Sequence, residues 1–153
     1  MPSRRDLIRM TEEEVTGFIE AGKSLQLATI NQDGSPHLVT MWYGIMDGRI
    51  AIETFEKSQK AVNLRRDARV ACLLESGTEY NELKGVQING TVRLVTDPSE
   101  ILEVMKAVLR RNHEMDEDML EMAAQQGAKK RIGAIIEPTK VVTWDHTKLD
   151  VAY

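Results

Sequence analysis

The segment Glu53-Thr54-Phe55-Glu56-Lys57-Ser58-Gln59-Lys60 joins an apolar stretch, Arg49 to Thr54, to a run with helical spacing. At such a junction free backbone N–H groups, a serine hydroxyl and the ammonium groups of Lys57 and Lys60 converge. That arrangement holds a phosphate without a glycine-rich loop. Ser58 also suits a simple helix cap with both lysines solvated, and the residues alone leave the two readings open. Other chemistry is sparse. Neither GxGxxG nor GxxxxGK[ST] occurs, and His113-Glu114-Met115-Asp116 lacks the second histidine of a zinc helix. Ser24, Ser35 and Ser76 lack the setting of a nucleophile elbow. Cys72 sits in an apolar run as inert core. The eight methionines fall mostly at helical core spacing, and Glu114 to Asp118 reads as a solvated helix start.

The elements that must position this segment fit one domain of 153 residues, with residues 1–10 as an N-terminal arm. At that length folding hides about 70% of the unfolded surface, so no disulfide staples are needed. Twenty basic against 24 acidic side chains, a net charge of -4, argue against general nucleic-acid binding. One cysteine excludes a disulfide framework, and three scattered histidines argue against a histidine metal cluster. The apolar runs fall short of the roughly 20 residues that span a bilayer, and MPSRRDLIRM lacks a signal-peptide core. A cytoplasmic protein without membrane contact is expected.

Thr11 and Glu14 form a capping box ahead of a helix over 11–21, closed by Gly22. From Leu25 the period becomes two, with Leu25, Leu27 and Thr29 on one face. Glycine turns at Gly34 and Gly48 join strands 25–30, 37–45 and 49–54 into an antiparallel meander. A short helix over 58–66 follows, with Ala61, Val62 and Leu64 apolar and Asn63 among its polar residues. Residues 68–75 read as a strand buried on both faces, and 86–94 as a strand bent at Gly90. Asp97-Pro98 opens a helix over 98–112. A second helix, 116–126, stops at Gly127, and strands 131–136 and 140–144 close the fold, split by Glu137-Pro138. The sum is a mainly β chain with helices, an antiparallel closed or nearly closed barrel.

The run LATINQDGSPHLVTMWYGIMDGRIAIETFEKSQKAVNLRRDARVACLLE, followed by VQINGTVRLV, closely resembles the flavin/deazaflavin split-barrel family. That family includes pyridoxamine 5'-phosphate oxidase and relatives that use coenzyme F420. The likeness covers most of residues 12–95, with a weaker echo in TWDHTKL. It implies that Thr54, Ser58 and Lys60 bind a cofactor phosphate, with Lys57 inside the same turn, and that Thr40, Met41 and Trp42 lie along the cofactor ring. Trp144 and Lys148 resemble the C-terminal pair that closes the oxidase site. The departures point away from the oxidase branch. Leu38 stands where that branch has a phosphate-gripping arginine, Tyr43 where it has a lysine, and Gly85 where it has a ring-contacting glutamine.

NLRRDARV looks more like the F420-dependent branch, whose cofactor carries a phosphodiester and then a polyacidic tail that Arg4, Arg5, Lys57 and Arg65 are placed to meet. The resemblance therefore implies a deazaflavin-dependent reductase of a small organic acceptor, with Tyr43 and His37 as conceivable proton donors. FMN is the alternative cofactor, and a non-catalytic haem or tetrapyrrole carrier on the same fold is the rival class. A homodimer with the cofactor at the subunit boundary is expected, covering Ile45, Ile50, Ile52, Val70 and Leu73 as apolar side chains left outside the barrel.

Overall fold

The computed structural model describes residues 1–149; the last four positions of the expected 1–153 domain lie outside the described residues. Two capping boxes open the chain. Ser3 with Asp6 starts a one-turn helix, α1 (Arg4–Leu7), and Thr11 with Glu14 starts α2 (Glu12–Ala21). The N-terminal segment is thus no free arm. The Ile8 carbonyl accepts from the Asp145 N–H (2.7 Å), the Met10 N–H donates to Thr143 Oγ1 (3.0 Å), and the Met10 side chain is buried. An arm rich in arginine carries no periodicity because its order comes from these long-range contacts.

The meander forms as β1 (Ser24–Ile30), β2 (Pro36–Trp42), β3 (Gly44–Met46) and β4 (Arg49–Phe55). Gly34 and Gly48 turn it with positive φ (85° and 74°), where a side chain would be strained. The expected single strand 37–45 is interrupted at Tyr43, and that break shapes the molecule. The remaining strands are β5 (Arg69–Ser76), β6 (Lys84–Val95) and β7 (Arg131–Asp145). The seven lie in the order β2-β1-β5-β6-β7-β4-β3. The two ends of that order are joined in the chain by Tyr43 alone. The antiparallel sheet therefore curls round until β2 and β3 meet, which makes a split barrel.

Inside the curl lie Leu25, Leu27, Tyr43, Ile52, Val86 and Ile136. Val15, Phe18 and Ile19 of α2 pack against this core, and so does Leu64 of α3 (Gln59–Arg66). On the outside, α4 (Pro98–Asn112) and α5 (Glu117–Gly127) bury a second cluster of Val95, Val104, Met105, Ala124 and Ile135. That pair of helices covers β3, β4 and the first half of β7 only. Among the described residues, α4 packs mainly on β3, β4 and β7 and α5 on α4, which leaves the outer face of β1, β2, β5 and the first half of β6 without a helix packed across it.

Several expectations change with this arrangement. The closing strands are one strand, β7, bent where Pro138 opposes Gly90 across a register shift at Asn89/Gly90. Helix α5 continues through Gly127, where a Cβ would meet the Met105 methyl. Strand β5 buries Val70, Cys72 and Leu74 inward but leaves Ala71 and Leu73 half-exposed on the uncovered face. Ile50, Ile52 and Val70, expected outside, fill the barrel's own interior, and Ile45 is half-buried against it. The apolar side chains that do stand exposed include Leu38, Trp42, Val62 and Val141. None of the described helices is long and apolar enough to cross a membrane.

Asn63 reverses its expected place, because it is fully buried while Val62 is not. Its amide donates to Thr29 Oγ1 and Asn31 Oδ1, both at 3.0 Å, and its oxygen accepts from Gln59 Nε2 at 2.9 Å. This network ties α3 to the end of β1 and so fixes the helix start that the site uses. Asn63→Ala strands the buried Thr29 hydroxyl, a loss of about 1–3 kcal/mol. At roughly 2–4 °C per kcal/mol for a chain of this size, thermal melts are expected to show Tm falling by several degrees, with Val62→Ala close to wild type.

Candidate functional site

Strand β4 ends at Phe55, whose carbonyl accepts from the Ser58 N–H (3.0 Å) to close a tight turn into α3. Ser58 caps the helix: its hydroxyl accepts from the Ala61 N–H (3.2 Å) and shares a hydrogen bond with Thr54 Oγ1 (3.0 Å). The helix cap expected of this residue is therefore present. The cap uses one donor of the first turn, while the Gln59 and Lys60 N–H groups precede the first intrahelical bond and have no acceptor within the helix. Lys60 is half-buried and Lys57 exposed, and neither ammonium group takes a partner among the described residues. The helix dipole adds a partial positive charge at the same point.

The uncovered sheet face supplies a flat wall. Cross-strand pairing places Thr40, Gln26, Leu73, Gln87 and Val142 in one row and Leu38, Ala28, Ala71, Asn89 and Lys140 in the next. Thr40 and Trp42 stand on this face, but Met41 turns inward and packs on the barrel core, leaving only its backbone toward the wall. The half-exposed Trp42 ring is met edge-on by His113 at 5.3 Å between ring centres. Gln26 Oε1 is buried there without a donor. Strict alternation through LQLATI placed Gln26 on that face without marking its unused oxygen.

Other residues of the expected site fall elsewhere. Trp144 pairs with Gly85, and its indole lies directly over the glycine, filling the space that a longer side chain would take. Lys148 is bound into the N-terminal segment, donating to the Arg9 carbonyl (2.9 Å) and to Glu14 (2.5 Å). That bond holds the Glu14 carboxyl below its ordinary range. Tyr43 is no proton donor to the wall. It is fully buried, its hydroxyl donates to the Ile19 carbonyl (2.5 Å), and burial raises its pKa. His37 alternates to the inner side of β2, and its Nδ1 is buried without a partner. Burial pushes the Cys72 thiol up to about 12, so it is an inert core group. Arg5 lines a groove with Lys140 and Thr143 beside β7, separate from Arg65, whose guanidinium donates to the Glu56 carbonyl (2.6 Å).

A cationic helix start and a flat, part-apolar sheet face suit a ligand with one phosphate and one planar ring. The profile of the pyridoxamine 5'-phosphate oxidase family matches residues 11–145. The chain belongs to that family. No curated protein sequence matches it. Among solved structures, a conserved hypothetical protein of Mycobacterium tuberculosis is 40% identical, covering 99% of this chain and 95% of its own, with a TM-score of 0.93. An F420 reductase is similar at 21% identity, covering 82% of this chain and 93% of that one, with a TM-score of 0.64. The haem storage protein of Vibrio cholerae shares the fold at 17% identity, covering 88% and 96%, with a TM-score of 0.68. The pyridoxamine 5'-phosphate oxidase fold thus carries proteins named for different ligands, and the ligand of this chain must be argued from its own residues.

The Gly85–Trp144 contact is testable directly. A Cβ at position 85 would collide with the indole, so Gly85→Ala is expected to push Trp144 off the sheet. Tryptophan emission should shift to longer wavelength, whereas a Gly17→Ala control, where a Cβ meets nothing within 4 Å, should leave the emission unchanged.

Proposed function

We propose that this chain is an F420-dependent oxidoreductase that reduces a small organic acceptor. The carrying observation is where cationic groups stand. The position at which the oxidase branch has a phosphate-gripping arginine is Leu38, 66% exposed and apolar, and the position of its lysine is Tyr43, shut inside the barrel. Charge for a phosphate therefore comes from α3, through Lys60, Lys57 and the free first-turn N–H groups. One phosphodiester needs less cationic grip than the dianionic phosphate of FMN. The likeness to an F420 reductase supports the same reading.

When bound, a reduced deazaflavin supplies a hydride. The protein holds the phosphate at α3, offers Thr40, Trp42 and Gln26 beside the ring, and keeps water from the face it covers. With Tyr43 and His37 turned away, His113 is the imidazole in contact with a residue of that face. The proposed assembly is a homodimer whose boundary covers the sheet face bearing Leu38, Ala28, Ala71 and Leu73; of the residues the sequence suggested, Leu73 stands on that face, whereas Ile50, Ile52 and Val70 belong to the core.

Titration of the protein with F420, FMN and haemin, followed by fluorescence and absorbance, tests the reading. Saturable F420 binding well below the concentration needed for FMN is expected. Loss of a hydrogen bond to a charged group costs about 1.5–3 kcal/mol, so Lys60→Ala should weaken F420 roughly 10- to 150-fold with Tm unchanged. Tight FMN or haem binding with none for F420 would contradict it.

A further inference from the structure

Strand β7 is paired with β6 from Gly133 to Asp145, but on its other edge β4 reaches only from Arg131 to Ile135. Beyond that, Arg49 meets the Glu137 side chain (3.4 Å), and the N-terminal segment meets Thr143 and Asp145. The Asp145 N–H points away from β6, to the Ile8 carbonyl (2.7 Å). The next N–H, of His146, turns back to the Leu83 carbonyl just before β6 (3.0 Å). Backbone groups of a strand alternate between its two edges. The N–H and C=O groups of Val141 and Thr143 therefore share the outward direction of Asp145. No backbone group among the described residues pairs with them there.

An unpaired row of backbone donors and acceptors is a template for another strand. Here the row borders an open groove of about 800 Å³ whose other wall is α1 and the start of α2. Pro138 and Lys140 stand along this edge, and both residue types keep an exposed edge from pairing indiscriminately. Charge then decides what can pair. Arg5, Arg9 and Lys140 line the groove against the carboxylate of Glu12. Arg9 shares its charge with Asp6 at 3.3 Å, while Arg5 and Lys140 form no ion pair among the described residues. Val15 and the 47% exposed Val141 add apolar surface to the same groove.

We propose that the free edge of β7 takes up an extended segment of a partner protein, added as a further strand and carrying alternate acidic and apolar side chains. Successive side chains of such a strand point to opposite faces. One set passes on the side of Lys140 and the other on the side of Val141. The cations select acidic residues in the first set, and the exposed valine selects apolar residues in the second. Main-chain hydrogen bonds to Val141 and Thr143 supply affinity, and the alternate side chains supply specificity. The α3 turn lies at the opposite end of β7, beside Lys130, so neither surface requires the other.

The probe is a fluorescein-labelled peptide of about seven residues alternating glutamate and valine, long enough to follow the free edge. Polarisation compares it, on the whole chain, with a lysine–valine counterpart and with forms N-methylated at every second residue in either phase. The glutamate peptide is expected to bind with an affinity that falls with salt, and the lysine peptide not to bind. N-methylation in one phase should weaken binding roughly 10-fold or more. An Arg5→Gln/Lys140→Gln variant, shown to be folded by thermal melts, should lose roughly 3- to 30-fold. Bound peptide should also protect the Val141 and Thr143 amides from hydrogen exchange. No binding of the glutamate peptide, equal binding of the lysine peptide or of both N-methylated forms, an unaffected variant, or unprotected amides would overturn the proposal. So would protection that rises with protein concentration alone, which would give the edge to a second copy of this chain.

Discussion

Tyr43 is the joint on which the architecture turns. Its phenol is buried where the sheet closes on itself, its hydroxyl is bonded to the last turn of α2 at Ile19, and the Arg111 guanidinium lies 4.8 Å from the ring centre. Arg111 in turn donates to the carbonyls of Ile19, Glu20 and Gly22. One aromatic side chain thus fastens the corner between β2 and β3, the end of α2 and the end of α4. A half-buried guanidinium is tolerable here because carbonyl oxygens and an aromatic face adjoin it. Loosening this joint would separate β2 from β3, and with it the sheet face from the α3 start.

The same joint marks a departure from the oxidase branch that the sequence resembles. Tyr43, where that branch has a lysine, turns inward and is core. Leu38 removes a second cation from the sheet face. What remains is a part-apolar wall that carries Lys140, with further cations at one corner, where α3 and the turn before β7 are pinned together by the Glu56–Lys130 hydrogen bond.

Much of the fold was legible because it is written in local pattern. The Thr11–Glu14 capping box, the Asp97-Pro98 helix start, the period-two stretch from Leu25 and the glycine turns each depend on near neighbours in the chain, and each appears as expected. The failures are long-range. Asn63 looks like a surface residue until Thr29 and Asn31 come to meet it, and Tyr43 looks like strand until the sheet order makes it a seam. Met10 and Ile8 are ordered by β7, more than 130 residues away. In the candidate site, Ser58, Lys57 and Lys60 were readable from their place at a strand-to-helix junction, and Thr54 from the family resemblance. Lys148 carried the right charge for a cofactor, yet its partner is Glu14.

The central claim is that the first turn of α3 and the uncovered sheet face form one binding surface for a phosphorylated deazaflavin. Amide and indole N–H chemical shifts, recorded by 15N NMR with and without F420, test it most directly. The largest changes are expected at the Gln59, Lys60 and Ala61 amides and at the Trp42 indole. Changes confined to the groove between α1 and β7, with the α3 amides unmoved, would contradict it.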